Sequence, residues 1–267
     1  MTTINTNVQS LVANNALKVN NRAMSQAMAQ LSTGQRINSA ADDAAGLAVS
    51  QSMTAQSRGY QMAIRNANDG ISLAQTAEGA MIEISNMLQR MRELAVQAAS
   101  GTLDNTQRGY LDTEFTALED QITSTISSTE WNGQAILDDT TDVEFDIAIG
   151  ADAGETVTVT SMALTYTASS VETAGNAATA VGNVDDALDV INEARAELGS
   201  VINRLTSAGN NMSNIATNLV ESRSRIQDAD YAAATTELAR TMIIQQAGTA
   251  VLAQANQMPQ AVLALLR

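Results

Sequence analysis

The amino-acid sequence predicts a mainly α protein: long antiparallel coiled-coil helices, both chain ends paired, plus a small β-hairpin region. Two seams and one change of period predict it. Stepping alternately three and four residues from Tyr60 gives Ala63, Ala67, Gly70, Ala74, Ala77, Met81, Ile84, Leu88, Met91, Ala95 and Ala98, an unbroken row of apolar or small side chains. The same stepping from Val184 gives Ala187, Ile191, Ala194, Leu198, Val201, Leu205, Ala208, Met212, Ile215, Leu219, Ser222 and Ile226, with Ser222 the only polar member. Two matched seams so far apart require a chain that goes out and comes back. Between them, over 143–160, the apolar period drops to two.

In chain order, the first segment spaces Val8, Val12, Ala16, Val19, Ala23 and Ala27 among Asn and Gln, a narrow stripe that makes a marginal helix on its own. Ser32-Thr33-Gly34 breaks it, and Ser39 to Asp43 offers capping chemistry for a new start. A helix over 42–99 follows, about 85 Å long at the usual rise. Leu73, Ala80, Met87 and Leu94 form a second apolar row on it, so it packs against more than one neighbour. After Ser100-Gly101, with Asn105 as cap, a shorter helix over 106–127 buries Leu111, Phe115, Leu118, Ile122 and Ile126. Trp131-Asn132-Gly133 reads as a tight turn. Val143, Phe145, Ile147 and Ile149 then alternate with Glu144, Asp146 and Ala148, and Gly150 to Gly154 turns the chain into Thr156-Val157-Thr158-Val159-Thr160, giving a hairpin over 143–160. Ser161 to Gly182 reads as loop, and a returning helix covers 184–226. The last segment steps through Ile244, Gly248, Val251, Ala255, Met258, Val262 and Leu265, and Pro259 inside it is expected to kink it. It is a natural partner for the first segment, so the expected division is an end domain built from 1–41 and 229–267 around a rod of 42–228.

Composition narrows the function. The 267 residues include one Pro and 3% aromatics, while hydrophobics reach 45%, mostly as Ala, Met, Val, Ile and Leu; thin helix-on-helix packing suits these numbers better than a thick core. With no Cys and no His, disulfides, thiolate zinc sites and imidazole acid/base chemistry are excluded. Of the net charge of −15, residues 1–41 contribute +3 and 229–267 contribute 0, which leaves −18 for the middle. Ends so poor in charge are expected to be buried, with the middle facing water. Nucleic acid is an unsuitable partner, membrane insertion is not expected, and the start Met1-Thr2-Thr3-Ile4 lacks the basic-then-apolar pattern of a secretory signal. The acid pairs Asp42-Asp43, Asp138-Asp139 and Asp185-Asp186 lie near expected helix starts or in loops and read as caps rather than as a metal or catalytic site. No cofactor, metal or enzyme activity is expected. Asn211-Met212-Ser213 matches a glycosylation sequon by chance, since it lies on a packed helix.

Several runs together resemble bacterial flagellin. They are Ile4-Asn5-Thr6-Asn7 with Asn14-Asn15-Ala16-Leu17, then Leu31-Ser32-Thr33-Gly34 with Arg36-Ile37-Asn38-Ser39-Ala40-Ala41-Asp42-Asp43-Ala44-Ala45-Gly46-Leu47-Ala48. Arg92-Glu93-Leu94-Ala95-Val96-Gln97-Ala98, Asn132-Gly133, Ser222-Arg223-Ser224-Arg225-Ile226-Gln227-Asp228-Ala229-Asp230-Tyr231 and Gln254-Ala255-Asn256-Gln257 with Leu265-Leu266-Arg267 continue the match. Only the middle departs, holding a hairpin and a Ser/Thr-rich connection where many flagellins carry large variable domains.

The resemblance implies a structural subunit that self-assembles into the flagellar filament for swimming, with the paired chain ends lining an inner tube. It implies export unfolded through the flagellar type III apparatus to an extracellular location on the flagellum. It also implies a cytoplasmic export chaperone on the C-terminal segment, and hook-associated and cap proteins as further partners. A hook-associated junction protein, which shares similar ends, is the alternative. Animal Toll-like receptors that detect flagellin bind a patch on the inner helices, whose matching positions are Gln89, Arg90, Glu93, Leu94, Gln97 and, on the next helix, Glu114. That patch is expected to serve assembly first, with Leu94 covered when subunits stack. Some flagellins carry O-glycans near the hairpin, where Thr156, Thr158, Thr160, Thr165, Thr167, Ser169 and Ser170 lie, although Thr also simply favours strands.

Overall fold

The structure, a computed structural model, describes residues 6–152, 154–167 and 169–265, the last eight of these as backbone. Five helices and four short strands follow one another: α1 (Val8–Thr33), α2 (Ala44–Ala98), α3 (Asn105–Ser128), β1 (Glu130–Trp131), β2 (Gln134–Ala135), β3 (Val143–Ala148), β4 (Thr156–Ser161), α4 (Ala174–Gln227) and α5 (Tyr231–Leu265). The expected seam positions Met258, Val262 and Leu265 and the Pro259 kink fall where no side chain is described, and Ile4, Asn5, Leu266 and Arg267 lie outside the described residues. Two compact units emerge. One holds both chain ends, up to Ala55 and from Asn218, and the other is Gln56–Thr217.

In the Gln56–Thr217 unit the expected seams are the core. From Ala63 to Ala98 every seam position of α2 is buried, as are Val184, Ala187, Ile191, Ala194, Leu198, Val201, Leu205 and Met212 of α4. The two helices run antiparallel: Arg92 of α2 pairs with Asp185 of α4, while Glu78, further back on α2, meets Arg195, further on along α4. Leu73 and Leu94 of the second row are also buried, and Phe115, Ile122 and Ile126 of α3 join the same core.

At the α2–α3 corner the chain relies on a residue that the periodicity did not single out. Arg108 is buried and donates from Nε to the Ala98 carbonyl (2.8 Å), from Nη2 to the Ser100 carbonyl (2.9 Å) and from Nη1 to Asn105 Oδ1 (3.1 Å). A guanidinium there satisfies carbonyls that the end of α2 leaves open and complements its dipole. The cap of α3 is Asp104, one residue before the expected Asn105, and it forms a reciprocal capping box with Gln107.

The hairpin matches its period. Val143, Phe145 and Ile147 of β3 turn inward and pair across to Ser161, Val159 and Val157 of β4. Its seat on α2 depends on two glycines three turns apart. A Cβ on Gly59 would stand 3.0 Å from the Ala151 Cβ, one on Gly70 would stand 2.9 Å from Ile147, and between them Asn66 Nδ2 donates to the Ala148 carbonyl (3.2 Å). A smaller hairpin, β1–β2, encloses the tight turn, with Asn132 and Gly133 both at positive φ (52° and 77°) as such a turn requires.

One stretch read as loop is helix. Residues 174–182, expected to be irregular, form the first turns of α4; Ala177 and Ala180 are fully buried and Thr173 Oγ1 accepts from the Asn176 N–H (3.2 Å). Small residues that carry no visible apolar period still pack when a helix crosses close by. The earlier start also changes the reading of Asp185, which lies inside the helix and pairs with Arg92 instead of capping. The other two acid pairs do act as caps or turn formers: Asp43 accepts from the Gly46 N–H (2.8 Å), and Asp138 accepts from Thr140 and Thr141 N–H (2.7 and 3.1 Å).

In the unit of the chain ends, α1 and α5 pair antiparallel. Asn7 Nδ2 donates to the Ala255 carbonyl (2.7 Å), Asn20 Nδ2 to the Thr241 carbonyl (2.8 Å) and the Tyr231 hydroxyl to the Leu31 carbonyl (3.0 Å). Where the helices turn into α2 and α4, the connections are pinned to each other. The Arg36 N–H donates to the Gln227 carbonyl (2.7 Å), the Ala229 N–H to the Gly34 carbonyl (2.9 Å), and the Arg36 guanidinium to the Ile226 carbonyl (2.5 Å). Gly34 takes the left-handed conformation (φ 72°) that ends α1.

Candidate assembly surface

The seam that joins α1 to α5 is not the one that hydrophobicity marks. On α1 the inward row is Ala13, Leu17, Asn20, Met24 and Ala27, and on α5 it is Ala234, Leu238, Thr241, Gln245, Gly248, Leu252 and Ala255. Both rows alternate three and four, and they mix Leu17, Met24, Leu238 and Leu252 with small and polar residues. At Gly248 the helices come close enough that a Cβ would stand 2.6 Å from Leu17 Cδ2. Of the expected stripes, Ala27, Gly248 and Ala255 face inward, whereas Val8, Val12, Ala16 and Val19 of α1 and Ile244 and Val251 of α5 face outward. Leu11 (61% exposed), Val12 (65%), Ile243 (66%) and Val251 (59%) are among the most open large apolar side chains of the described chain. An amphipathic pattern tells which face is apolar and not what covers it. Near the ends of this pair, Val8, Val12, Ala16 and Val251 line a shallow apolar depression. Apolar surface gathered in this way on a two-helix pair is the kind that interaction sites use.

The patch expected on α2 and α3 is divided. Gln89, Arg90, Glu93, Gln97 and Glu114 are exposed, and Arg90 holds two of the others, donating from Nη1 to Glu93 (2.9 Å) and from Nε to Glu114 (3.0 Å). Those hydrogen bonds, Glu93 first and then Glu114, raise the guanidinium above its ordinary pKa. Gln89, Glu93 and Gln97 share a shallow depression with Arg92 and Val96. Leu94 does not belong to this surface. It is 1% exposed, covered within its own chain, so subunit stacking is not what hides it.

Of the hydroxyls beside the hairpin, Thr158 donates to Asp146 (2.7 Å), Ser170 to Asp112 (3.0 Å) and Ser169 to the Thr167 carbonyl (3.1 Å). Those of Thr156, Thr160, Thr165 and Thr167 make no hydrogen bond among the described residues. No group of His, Cys, Asp or Glu suited to a metal ion occurs among the described residues, and no described helix is long and apolar enough to cross a membrane.

Comparison with known proteins agrees with an assembling, mainly helical chain. Residues 4–142 match the family described as the bacterial flagellin N-terminal helical region, and residues 181–266 match the bacterial flagellin C-terminal helical region. The unmatched stretch between them holds β3, β4 and the start of α4. Flagellin of Halalkalibacterium halodurans is 43% identical over 99% of both chains, and flagellin of Bacillus subtilis is 40% identical, again over 99% of both. The crystal structure of Bacillus cereus flagellin, 35% identical, superposes with a TM-score of 0.49 over 60% of this chain and 94% of that one. With both helical regions matched in order and full-length relatives well above the level of chance likeness, the chain belongs to the bacterial flagellin family.

Proposed function

We propose that the chain polymerises into the flagellar filament through the apolar face that α1 and α5 leave open. It is a structural protein and not an enzyme, and its full-length match to flagellins favours the filament subunit over the hook-associated alternative. The observation that carries the route of assembly is the outward-facing set of Leu11, Val12, Ile243 and Val251, which the described chain leaves uncovered. In this reading residues 1–41 and 229–267 form the inner tube and 42–228 the surrounding shell. The finer partners belong to the same reading: export unfolded and secretion to the flagellum, a chaperone on the C-terminal segment until then, and hook-associated and cap proteins at the filament's two ends. Arg90, Glu93 and Glu114 with Gln89 and Gln97 present charges suited to a neighbouring subunit and to an animal Toll-like receptor alike. Thr156, Thr160, Thr165 and Thr167 are the hydroxyls open to O-glycans.

Seeded polymerisation of purified protein, followed by electron microscopy, tests the main reading: filaments of uniform diameter are expected. Replacing Val12 and Val251 by Asp should stop growth while the monomer keeps its helical content. Growth unaffected by those changes would remove the apolar face from the account. For the receptor, soluble monomer should signal strongly and intact filament weakly, and equal signalling by both would refute a shared surface.

A further inference from the structure

A shallow, open cleft lies beside the hairpin in the Gln56–Thr217 unit, with Ile149 and Val157 on one wall and Ala196, Gly199, Asn203 and Arg204 of α4 on the other. Arg204 is exposed and has no ion pair or hydrogen bond among the described residues. Its own helix offers it no acid. The positions three and four away are Val201, Ser207, Ser200 and Ala208, and between Gly199 and Thr217 Arg204 is the sole charge, although the middle of the chain is strongly acidic. The hairpin's Asp146 and Glu155 leave it unpaired as well.

A complementary surface occurs elsewhere in the same unit. From Asp112 to Ser128, α3 carries Asp112, Glu114, Glu119 and Asp120 and no cation. Glu114 is taken by Arg90 and Asp112 by Ser170 and the Val171 N–H, so the neighbouring carboxylates of Glu119 and Asp120 are left without a positive partner. Partial burial, then repulsion by Asp120 and Asp112, pushes the Glu119 carboxyl up. These two acids cannot reach Arg204 of their own chain: Ile122 and Ile126 of α3 pack level with Ala187 and Ile191 of α4, and Arg204 lies about 20 Å further along that helix.

We propose that the Arg204 cleft receives the acidic face of α3, through Glu119 and Asp120, from a second copy of this chain. The contact rests on the reading of the chain as a filament subunit. Cleft and acidic face are different patches, so the interaction is heterologous: each copy offers one patch to the copy behind and the other to the copy ahead. Repeated without closing, such a contact generates a helical polymer. Small residues along the α4 wall let a neighbouring helix approach closely, and the charges fix its register and speed its encounter.

The test measures seeded elongation of the full chain by light scattering, with circular dichroism of each monomer as a control. Arg204→Gln and Arg204→Glu should slow elongation, the reversal by about tenfold, and Glu119→Arg with Asp120→Arg should do the same. Combining Arg204→Glu with both α3 reversals should restore most of the rate. Because the chain lacks Cys, a mixture of Asn203→Cys and Thr123→Cys subunits gives a second readout, and oxidation should cross-link the two variants in filaments and not in monomers. Wild-type filaments that form while Arg204→Glu elongates normally, or a combined variant that recovers nothing and Cys pairs that never cross-link, would overturn the contact alone. A wild-type chain that never elongates would overturn the filament reading and the contact with it.

Discussion

Arg90 and Leu94 are one helical turn apart on α2 and occupy opposite environments. Leu94 fills the space where α3 closes the core, so Leu94→Ala is expected to cost about 2–5 kcal/mol by opening a cavity. Arg90 is half exposed and its two ion pairs are screened by solvent, so Arg90→Ala should cost far less stability than Leu94→Ala. Urea unfolding of the two variants checks both, and it separates loss of fold from loss of a docking charge in any assembly or signalling assay. Acidity acts on single residues in both directions. Ser39 N–H, the Ser39 hydroxyl and Asn38 N–H hold the Asp42 carboxyl below its ordinary range. Its stabilising effect is complete above the unfolded value and is lost as pH falls through the folded one. Glu119, held above its ordinary range, behaves oppositely, so protonation through its folded value relieves repulsion and favours the fold. An NMR titration should therefore show Glu119 protonating first on acidification and the 38–43 turn loosening only below the usual carboxylate range. Capping at Asp42 and Asp43 was legible from the sequence because it is local. The partner of Asp185 was not, since Arg92 lies on another helix and only the antiparallel register brings it there.

At the scale of elements, a heptad seam buried on both partners was legible, as α2 from Ala63 to Ala98 and α4 from Val184 to Leu205 show, whereas the first turns of α4 carry no such period. For α1 and α5 the same reading found the pairing and only part of the contact face, for a physical reason. There the intrachain contact sets Leu17, Met24, Leu238 and Leu252 among Asn20, Thr241 and Gly248, which permit close approach and fix register, while Leu11, Val12, Ile243 and Val251 stay uncovered. Periodicity reports the strongest apolar face and is silent on whether a neighbour in the same chain or another molecule covers it. The seat of the hairpin gives a sharper test. Gly70→Ala would place a methyl 2.9 Å from Ile147 and 3.2 Å from Leu205, so one of two packed side chains must move. A destabilisation of about 1–3 kcal/mol is expected from this overpacking. Gly79→Ala, with open space at its Cβ, is expected to be neutral or mildly stabilising. Thermal melts of both variants, followed by circular dichroism, make the comparison.

For the molecule as a whole, the contrast between the units matters most. The Gln56–Thr217 unit has a continuous core, whereas among the described residues of α1 only Asn20 and Ala27 are buried. Residues 1 to about 40 and about 229 to 267 are therefore expected to be unfolded in the isolated monomer and helical only in the polymer, where neighbours cover the open apolar row. Hydrogen exchange should find those amides unprotected in monomer and protected in filament, and truncating either end should abolish assembly. The hydrogen bond from Asn7 to the Ala255 carbonyl also joins residues 248 apart. Contacts of such separation close the longest loop the chain can make, and their entropy cost is met only after shorter loops have formed. The pairing of the ends is thus the last kinetic event, and a nascent or newly delivered chain completes its middle while both tails are free to search. The one Trp, Trp131, lies in the middle unit. In stopped-flow refolding its fluorescence should reach its final value while the far-ultraviolet dichroism still reports missing helix, and the remaining dichroism should grow in only when polymer seeds are added.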